Sequence, residues 1–392
     1  MAEQIIKKIS SPRDFCIPEK LIHSVAFHPR ELLLATCSDD HTAKLWSFDP
    51  NGLKPTDFVA TLEGHTNSVV SVAFHPTELL LATGSLDGSA KLWGFESDYS
   101  SATCVATLDE HDGQVLSVAF HPRELLLATG SKDGSAKLWS FNPNGSNATC
   151  VATLDGHTNF VVSVAFHPTE LLLATGSNDE SAKLWSFNHD GSNAKCVATL
   201  NGHSDFVNTV AFHQNGRFLA TGSNNHDAKL WRFNPDDWNA DCVATLEGPD
   251  GHTNSVVSVA FQPTEELLLA TGSDDGTVKL WKFDLDASTA NCVKTLAEEE
   301  EEEDKKISIS SVAFHPNGIF LAAGRYNQNV KLWRLLKSDK PPGGGSNSRR
   351  KHNSSRRKHK RSNRKHSKRL MKKNSRKKRG TISKYHRFRN ER

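Results

Sequence analysis

The sequence predicts an all-β protein made of seven similar four-stranded antiparallel sheets, and three observations support this. The tripeptide Lys-Leu-Trp occurs seven times at spacings of 46 to 52 residues. The residues between these tripeptides are near-copies of the stretch 150–187, and a fixed period of this size is typical of propellers, solenoids or arrays. Gly or Pro interrupts each copy before a helix of about 12 residues could form. The seven tryptophans are Trp46, Trp93, Trp139, Trp185, Trp231, Trp281 and Trp333.

Each copy contains four short apolar segments separated by turn residues. In the copy at 150–187 these are CVATL (150–154), VVSVAF (161–166), LLLATGS (171–177) and SAKLWSF (181–187). Four such strands joined by turns predict one antiparallel sheet. The segment 171–177 is apolar on both faces, which suits a strand buried between neighbouring sheets. Since a single sheet cannot bury both of its faces, we expect a ring of sheets, a seven-bladed β-propeller.

The residues at the turns of each copy carry a family resemblance. Gly156 and His157 form a Gly-His pair, Asp179 lies in a turn, and Trp185 follows six residues later. This pattern, repeated over residues 4–337, resembles the WD-repeat family. One departure is that Ser, Gly, Arg or Lys stands where the family usually has Asp after the Trp. The motif Trp-Asp-x-Arg, often seen in family members that serve as receptors for cullin ligases, is therefore absent.

The two ends of the repeat region predict how the ring closes. Residues 4–10 (QIIKKIS) are expected to form a lone strand, and no fourth strand is apparent after Trp333. We expect the N-terminal strand to complete the last blade, as often happens in WD-repeat propellers, because closure removes an exposed sheet edge.

A recurring set of His, Asp, Ser or Thr, and Trp also has the residue types of a hydrolase triad. A catalytic site occurs once, whereas this set occurs about four times. The resemblance instead implies a buried network in which Asp orients His, His meets a hydroxyl, and the hydroxyl meets the indole N–H. In blade five His203 faces an Asn225 at the Asp position, and blade seven has Asn327 and no His. The predicted network residues are His65, Asp87, Trp93, His111, Asp133, Trp139, His157, Asp179, Trp185, His252, Asp275 and Trp281.

Two positions differ between the blades and are candidates for recognition. They lie three residues after the His and one residue before the turn Asp, and the resemblance places both on the upper rim of the central channel. Large apolar groups at turn positions predict a partner-binding patch. The alternative is that the variation is drift among recently duplicated repeats. The predicted partner-binding residues are Phe160, Phe206, Leu86, Lys132 and Tyr326.

Histidines and cysteines that recur once per blade do not have the spacing of metal ligands. Six histidines stand in Phe-His-Pro or Phe-His-Gln segments and are expected to be surface turn residues. Five cysteines recur at one strand position and are expected to act as small hydrophobic residues, without disulfides or zinc. No cofactor or metal is predicted. The histidines are His28, His75, His121, His167, His213 and His315, and the cysteines are Cys104, Cys150, Cys196, Cys242 and Cys292.

The net charge of +3 conceals a strong asymmetry. Residues 349–392 hold 22 Lys and Arg and one acidic residue, or +21, which leaves −18 for the remainder. The seven residues 298–304 are all acidic. We expect residues 1–337 to form the propeller, 338–348 a flexible linker and 349–392 a disordered basic tail. The tail residues predicted to contact polyanions are Arg356, Arg357, Lys358, Arg376, Lys377, Lys378 and Arg379.

These observations favour a non-enzymatic scaffold that holds a protein partner on its upper face. The alternative is an RNA- or DNA-binding protein that acts mainly through the tail, with a passive propeller. No apolar run approaches the roughly 20 residues of a membrane helix, and the N-terminus lacks the apolar core of a signal peptide. We therefore expect a monomeric propeller in the nucleus or nucleolus rather than the cytoplasm, neither secreted nor bound to a membrane.

Overall fold

The computed structural model describes residues 8–9, 13–16, 20–49, 54–234, 238–264, 267–284, 289–297, 307–327 and 329–336, with the backbone alone at 8–9, 13–16, 54–56 and 336. The chain divides into two units, 1–339 and 340–392, and every described strand lies in the first. The acidic run 298–304, the predicted linker and the predicted tail lie outside the described residues.

The described strands form seven antiparallel sheets, which confirms the predicted seven-bladed propeller. Blade one contains β3 (Ile22–Phe27), β4 (Leu33–Ser38), β5 (Ala43–Asp49) and β6 (Lys54–Leu62). Blade two contains β7 (Val69–Phe74), β8 (Leu80–Ser85), β9 (Ala90–Phe95) and β10 (Ala102–Leu108). Blade three contains β11 (Val115–Phe120), β12 (Leu126–Ser131), β13 (Ala136–Ser140) and β14 (Thr149–Leu154). Blade four contains β15 (Val161–Phe166), β16 (Leu172–Ser177), β17 (Ser181–Ser186) and β18 (Lys195–Asn201). Blade five contains β19 (Val207–Phe212), β20 (Phe218–Ser223), β21 (Ala228–Phe233) and β22 (Ala240–Leu246). Blade six contains β23 (Val256–Phe261), β24 (Leu268–Ser273), β25 (Val278–Phe283) and β26 (Ala290–Leu296). Blade seven contains β27 (Ile309–Phe314), β28 (Phe320–Arg325) and β29 (Asn329–Leu336), joined by β1 (Lys8–Ile9) and β2 (Arg13–Cys16).

The sheets are offset from the sequence repeat by one strand. The segment CVATL at 150–154 lies in β14, which pairs with β13 of blade three and not with the strands that follow it. The expectation that one copy of 150–187 makes one sheet is therefore wrong by one strand. As a result, each repeat contributes the outer strand of one blade and the three inner strands of the next, so neighbouring blades share one repeat.

The N-terminal segment closes the ring, as predicted, but with two short strands. Lys8 pairs with Leu336 in β1, and Arg13 to Cys16 pair with Leu332 to Asn329 in β2. The strand predicted at 4–10 is thus only part of the closure, since 13–16 supplies four further pairs along β29. This arrangement gives blade seven the outer edge that the other blades obtain from the following repeat.

The core lies between the blades. All six residues of the second strand are buried in every blade, because that strand packs against a sheet on each side. One cluster joins Leu126 and Leu138 of blade three to Val161, Val164 and Trp185 of blade four. The first strands of consecutive blades contact one another around the whole ring, including β27 with β3. The seven first strands therefore surround the central channel.

Two contacts set the spacing of neighbouring blades. A Cβ added at Gly130 would lie 3.0 Å from Cγ1 and from the carbonyl oxygen of Val161 in the next blade, so glycine favours this close approach. The backbone N–H of Val164 also donates to the Ser117 hydroxyl of the preceding blade, at 3.1 Å. Equivalent hydrogen bonds join five further pairs of neighbouring blades.

The two faces of the ring differ in their connections. We call upper the face that carries the turns between second and third strands and the loops that enter each first strand. The lower face carries the loops between first and second strands and those that follow each Lys-Leu-Trp strand.

Candidate interaction site on the upper face

The predicted His–Asp network assembles at the upper end of blade two. His65 Nδ1 lies 2.7 Å from Asp87 Oδ2, and its Nε2 lies 2.7 Å from the Thr83 hydroxyl. The Trp93 indole N–H donates to the same hydroxyl at 2.8 Å. Since the indole can only donate, the Thr83 hydroxyl donates to His65 Nε2, and His65 Nδ1–H donates to the carboxylate.

The same geometry recurs in three other blades. His111, His157 and His252 lie 2.6, 2.7 and 2.8 Å from the carboxylates of Asp133, Asp179 and Asp275. Their Nε2 atoms lie 2.6–2.7 Å from a Thr hydroxyl that also accepts from the Trp indole. In blade four the hydroxyl is that of Thr175 and not of Ser177, which instead donates to the Asn159 carbonyl and accepts from the Asp179 N–H. The indole donors are those of Trp139, Trp185 and Trp281.

Electrostatics fix the proton positions in this network. Burial lowers the pKa of His65, and the Asp87 carboxylate only partly opposes that effect. Burial raises the pKa of Asp87, but hydrogen bonds from Ser89, the Thr66 N–H and His65 outweigh it and lower the pKa to about 2. The pair is thus a neutral imidazole and a carboxylate at neutral pH. The His65 side chain has no exposed surface, so it presents no atom to a substrate.

Blade five contains a carboxylate that sequence reasoning missed. Asp227 lies two residues after the Asn225 turn position, and its Oδ1 lies 2.8 Å from His203 Nδ1, an ion-pair contact rather than an aligned hydrogen bond. Asn225 donates to the other oxygen of Asp227 at 3.2 Å. His203 still reaches the Thr221 hydroxyl at 2.6 Å. The sequence signal that could have identified Asp227 is an acidic residue at a position where most other blades have Ser or Thr.

The two variable positions predicted on the rim are hydrogen-bonded neighbours in each blade. The Asn178 N–H donates to the Phe160 carbonyl and the Asn224 N–H to the Phe206 carbonyl, both at 3.0 Å. Each blade therefore presents one pair of side chains on the upper face beside its first strand. The remaining pairs are Leu21 with Asp39, Ser68 with Leu86, Gln114 with Lys132, Ser255 with Asp274 and Ser308 with Tyr326.

Exposure differs among the predicted partner-binding residues. Phe160 and Phe206 are each 37% exposed and Tyr326 is 38% exposed. Lys132 is exposed and places Nζ 5.7 Å from the centre of the Phe160 ring, within the range of a cation–π contact. Leu86 is half-buried and offers less surface. The structure thus places Lys132, Phe160 and Phe206 on three consecutive blades, with Leu86 and Tyr326 elsewhere on the rim.

The Phe-His-Pro histidines correct a prediction. All six are 2–6% exposed, so the expectation of surface turn residues is wrong. Each ring packs against an aromatic ring of a neighbouring blade, as His121 does at 5.0 Å from Phe166. Nδ1 of His121 accepts from the N–H groups of Arg123 and Glu124, which holds the lower-face turn. Burial lowers the pKa of His28, His75 and His121 to about 4.

The recurring cysteines lie on the outer strands. Cys104, Cys196 and Cys242 are exposed, and Cys150 and Cys292 are half-buried. They therefore contribute less to the core than their predicted role as small hydrophobic residues implies. Each sits opposite the blade's Trp at a bulge in the strand pairing. Within the described residues all are free thiols, and no group of three or more His, Cys, Asp or Glu could hold a metal ion. Nor does any helix in the described part of the chain have the length and hydropathy to cross a membrane.

Comparison with known families agrees with this geometry. The family model described as WD domain, G-beta repeat matches seven segments of the chain, which together cover more than half of it. The chain therefore belongs to the WD40 family, whose propellers generally act as scaffolds for protein–protein interaction. A search of curated proteins found no match. The matched segments are residues 16–47, 56–94, 102–140, 148–186, 194–232, 240–282 and 291–334.

Proposed function

We propose that this propeller is a non-enzymatic scaffold that binds a protein partner on its upper rim, through Lys132, Phe160, Phe206, Tyr326 and the edge of Leu86. The observation that supports this is the pair of exposed phenylalanines on adjacent blades, at positions where blades two, six and seven carry serine. Exposed aromatic side chains grouped on one face are typical of anchors in protein interfaces. The His–Asp contacts of blades two to five would then hold the turns beside Leu86, Lys132, Phe160 and Phe206 in place.

The test compares two double substitutions of equal exposure on opposite faces. Phe160→Ser with Phe206→Ser should abolish partner capture and leave the melting temperature within about two degrees, since exposed side chains contribute little to the core. Leu32→Ser with Leu79→Ser is the matched control, because these residues are 37% and 39% exposed in lower-face loops. Quantitative mass spectrometry of affinity-purified complexes measures capture. If both double variants lose partner capture equally, the proposal is contradicted. The same holds if the melting temperature falls sharply in the Phe variant alone.

The charge of residues 349–392 favours a second candidate function. With 22 Lys and Arg and one acid, this segment suits nuclear import or contact with nucleic-acid phosphates, through residues such as Arg356, Lys358 and Arg379. Binding should be indifferent to sequence and fall steeply between about 50 and 200 mM salt, because bound counterions are released. Deleting 349–392 should remove RNA binding and nuclear accumulation while partner capture survives. If deletion removes partner capture instead, the tail is the main interaction site.

A further inference from the structure

The rim carries carboxylates on two blades that flank blade seven. Asp274 of blade six and Asp39 of blade one occupy the position before the turn, where blades two to five carry Leu, Lys, Asn and Asn. Tyr326 occupies the same position in blade seven, between the two acids. The rim thus has an apolar sector with Lys132, Phe160 and Phe206, and an acidic aromatic sector with Asp39, Asp274 and Tyr326.

The acidic aromatic sector is held in place by its neighbours. His23 Nε2 lies 2.6 Å from Asp39 Oδ1, and the His23 ring stands edge-on to Tyr326 with centroids 5.8 Å apart. The Tyr326 N–H donates to the Ser308 carbonyl at 3.1 Å. Tyr326 keeps 38% of its surface exposed. Both carboxylates act on the phenol, since burial first and then the charges of Asp274 and Asp39 raise the pKa of Tyr326.

An exposed aromatic ring between two carboxylates favours a cation. The ring face attracts a cationic group, and carboxylates on either side add charge-assisted hydrogen bonds. The same three residues form no metal-binding cluster among the described residues. The sector instead suits a long side chain that lays its charged end against the ring. Lys132 lies with the apolar sector and repels such a group there.

We propose that Tyr326, Asp39 and Asp274 form a subsite for an arginine or lysine side chain of the protein partner. The subsite rests on the proposed function, and it adds the direction in which the partner segment lies on the rim. An apolar side chain lies over Phe160 and Phe206, and a basic side chain lies over Tyr326. The two sectors lie on either side of the channel mouth. The apolar and the basic contact together therefore set which end of the partner segment faces which blades.

The test uses the full-length protein and two hexapeptides labelled with fluorescein at the N-terminal amine, Gly-Phe-Gly-Gly-Arg-Gly amide and its citrulline analogue. Citrulline keeps the shape of arginine without its charge. Fluorescence anisotropy at about 50 mM salt should show at least about ten-fold tighter binding of the arginine peptide. Asp39→Asn with Asp274→Asn should reduce this preference below about two-fold, whereas Asp98→Asn with Asp190→Asn, exposed acids of lower-face loops, should leave it unchanged. Tyr326→Phe should retain it, and Tyr326→Leu should lower affinity about three-fold to thirty-fold.

Controls separate this proposal from loss of folding and from failure of the proposed function. Because Asp39 is bonded to His23, Asp274→Asn alone serves as a second variant if the double variant melts early. Phe160→Ser with Phe206→Ser should weaken both peptides equally. If that pair changes nothing while the Asp variants lose the arginine preference, the apolar half fails and the cation subsite stands. Equal binding of both peptides to the unaltered protein would overturn the subsite. So would competition by millimolar calcium chloride, which marks a metal site.

Discussion

Thr129 lies at the centre of one complete hydrogen-bond chain, and its neighbours show why the chain is directional. The Trp139 indole N–H donates to the Thr129 hydroxyl, which donates to His111, which in turn donates to Asp133. Asp133 also accepts from the backbone N–H groups of Asp112 and Ser135. The chain therefore joins the loop that enters blade three to the turn and the third strand of the same blade.

Replacing Asp133 with Ala tests whether this chain stabilises the fold. The substitution leaves His111 Nδ1–H buried without its acceptor, so the free energy of unfolding should fall by roughly 1–3 kcal/mol. Asp112→Ala is the control, because Asp112 is the exposed acid next to His111. Urea denaturation followed by tryptophan fluorescence measures both. If Asp133→Ala unfolds at the same urea concentration as the unaltered protein yet loses partner binding, the network has a functional role instead.

At the residue scale, the sequence predicts contacts within a blade better than contacts between blades. The spacing of His, Asp and Trp is enough to identify the members of the network, because all of them lie within one repeat. The burial of His121 depends on Phe166, which lies in the next blade about one repeat away. Asp227 was missed because a carboxylate displaced by two residues along a turn can still reach the same imidazole.

At the scale of elements, the pattern predicts the strands but not their partners. Strand 161–166 has the bounds that the sequence predicts, since its apolar run ends at His-Pro. The pairing of β14 with β13 could not be read from the repeat, because a cyclic sequence pattern has no marked first strand. Blade seven resolves this ambiguity. It takes three strands from the last repeat, and the N-terminal segment supplies the missing edge through β1 and β2.

The hydrogen bonds of the lower-face turns differ between blades, because the turns of blades five and seven contain a glycine and those of blades three and four do not. In blade five the turn contains Gly216 at a φ of 70°, and its carbonyl accepts from His167 Nε2 of the preceding blade at 2.9 Å. In blade seven Gly318, at a φ of 69°, accepts from Gln262 in the same way at 2.6 Å. Nε2 of His75 and of His121 finds no partner among the described residues, because the following blades have Pro-Arg-Glu and Pro-Thr-Glu turns.

At the scale of the whole molecule, the described part of the ring includes nine buried histidines whose pKa is lowered by burial. Six lie in the lower-face turns and three in the His–Asp network, so they lie at both ends of the blades. In the unfolded chain an imidazole takes up a proton near pH 6.5, whereas the folded protein resists protonation until a lower pH. These histidines are His28, His65, His75, His111, His121, His157, His167, His213 and His315.

The sign of this effect gives a prediction for the pH dependence of stability. Between pH 6.5 and about 4 the unfolded state binds more protons than the folded state, so the free energy of unfolding should fall as the pH falls. A histidine whose pKa drops from 6.5 to about 4 contributes a loss on the order of 1–2 kcal/mol at pH 5. The pKa of Asp87 and of Asp179 is lowered to about 2, so their contribution is lost only below about pH 4.

Urea denaturation at pH 7.5, 6.0 and 5.0 measures this slope, and His167→Gln tests its origin. Burial lowers the pKa of His167, although the Gly216 carbonyl and Glu170 partly oppose this. A glutamine there can donate to the Gly216 carbonyl as Gln262 donates to that of Gly318, so the variant should fold and lose less stability between pH 7.5 and 5.0. His189→Gln is the control, because the His189 side chain is 81% exposed. If both variants keep the slope of the unaltered protein, the buried lower-face histidines do not cause its acid sensitivity. In that case the network carboxylates Asp87 and Asp179 would have to titrate in the same range, which their pKa values of about 2 oppose.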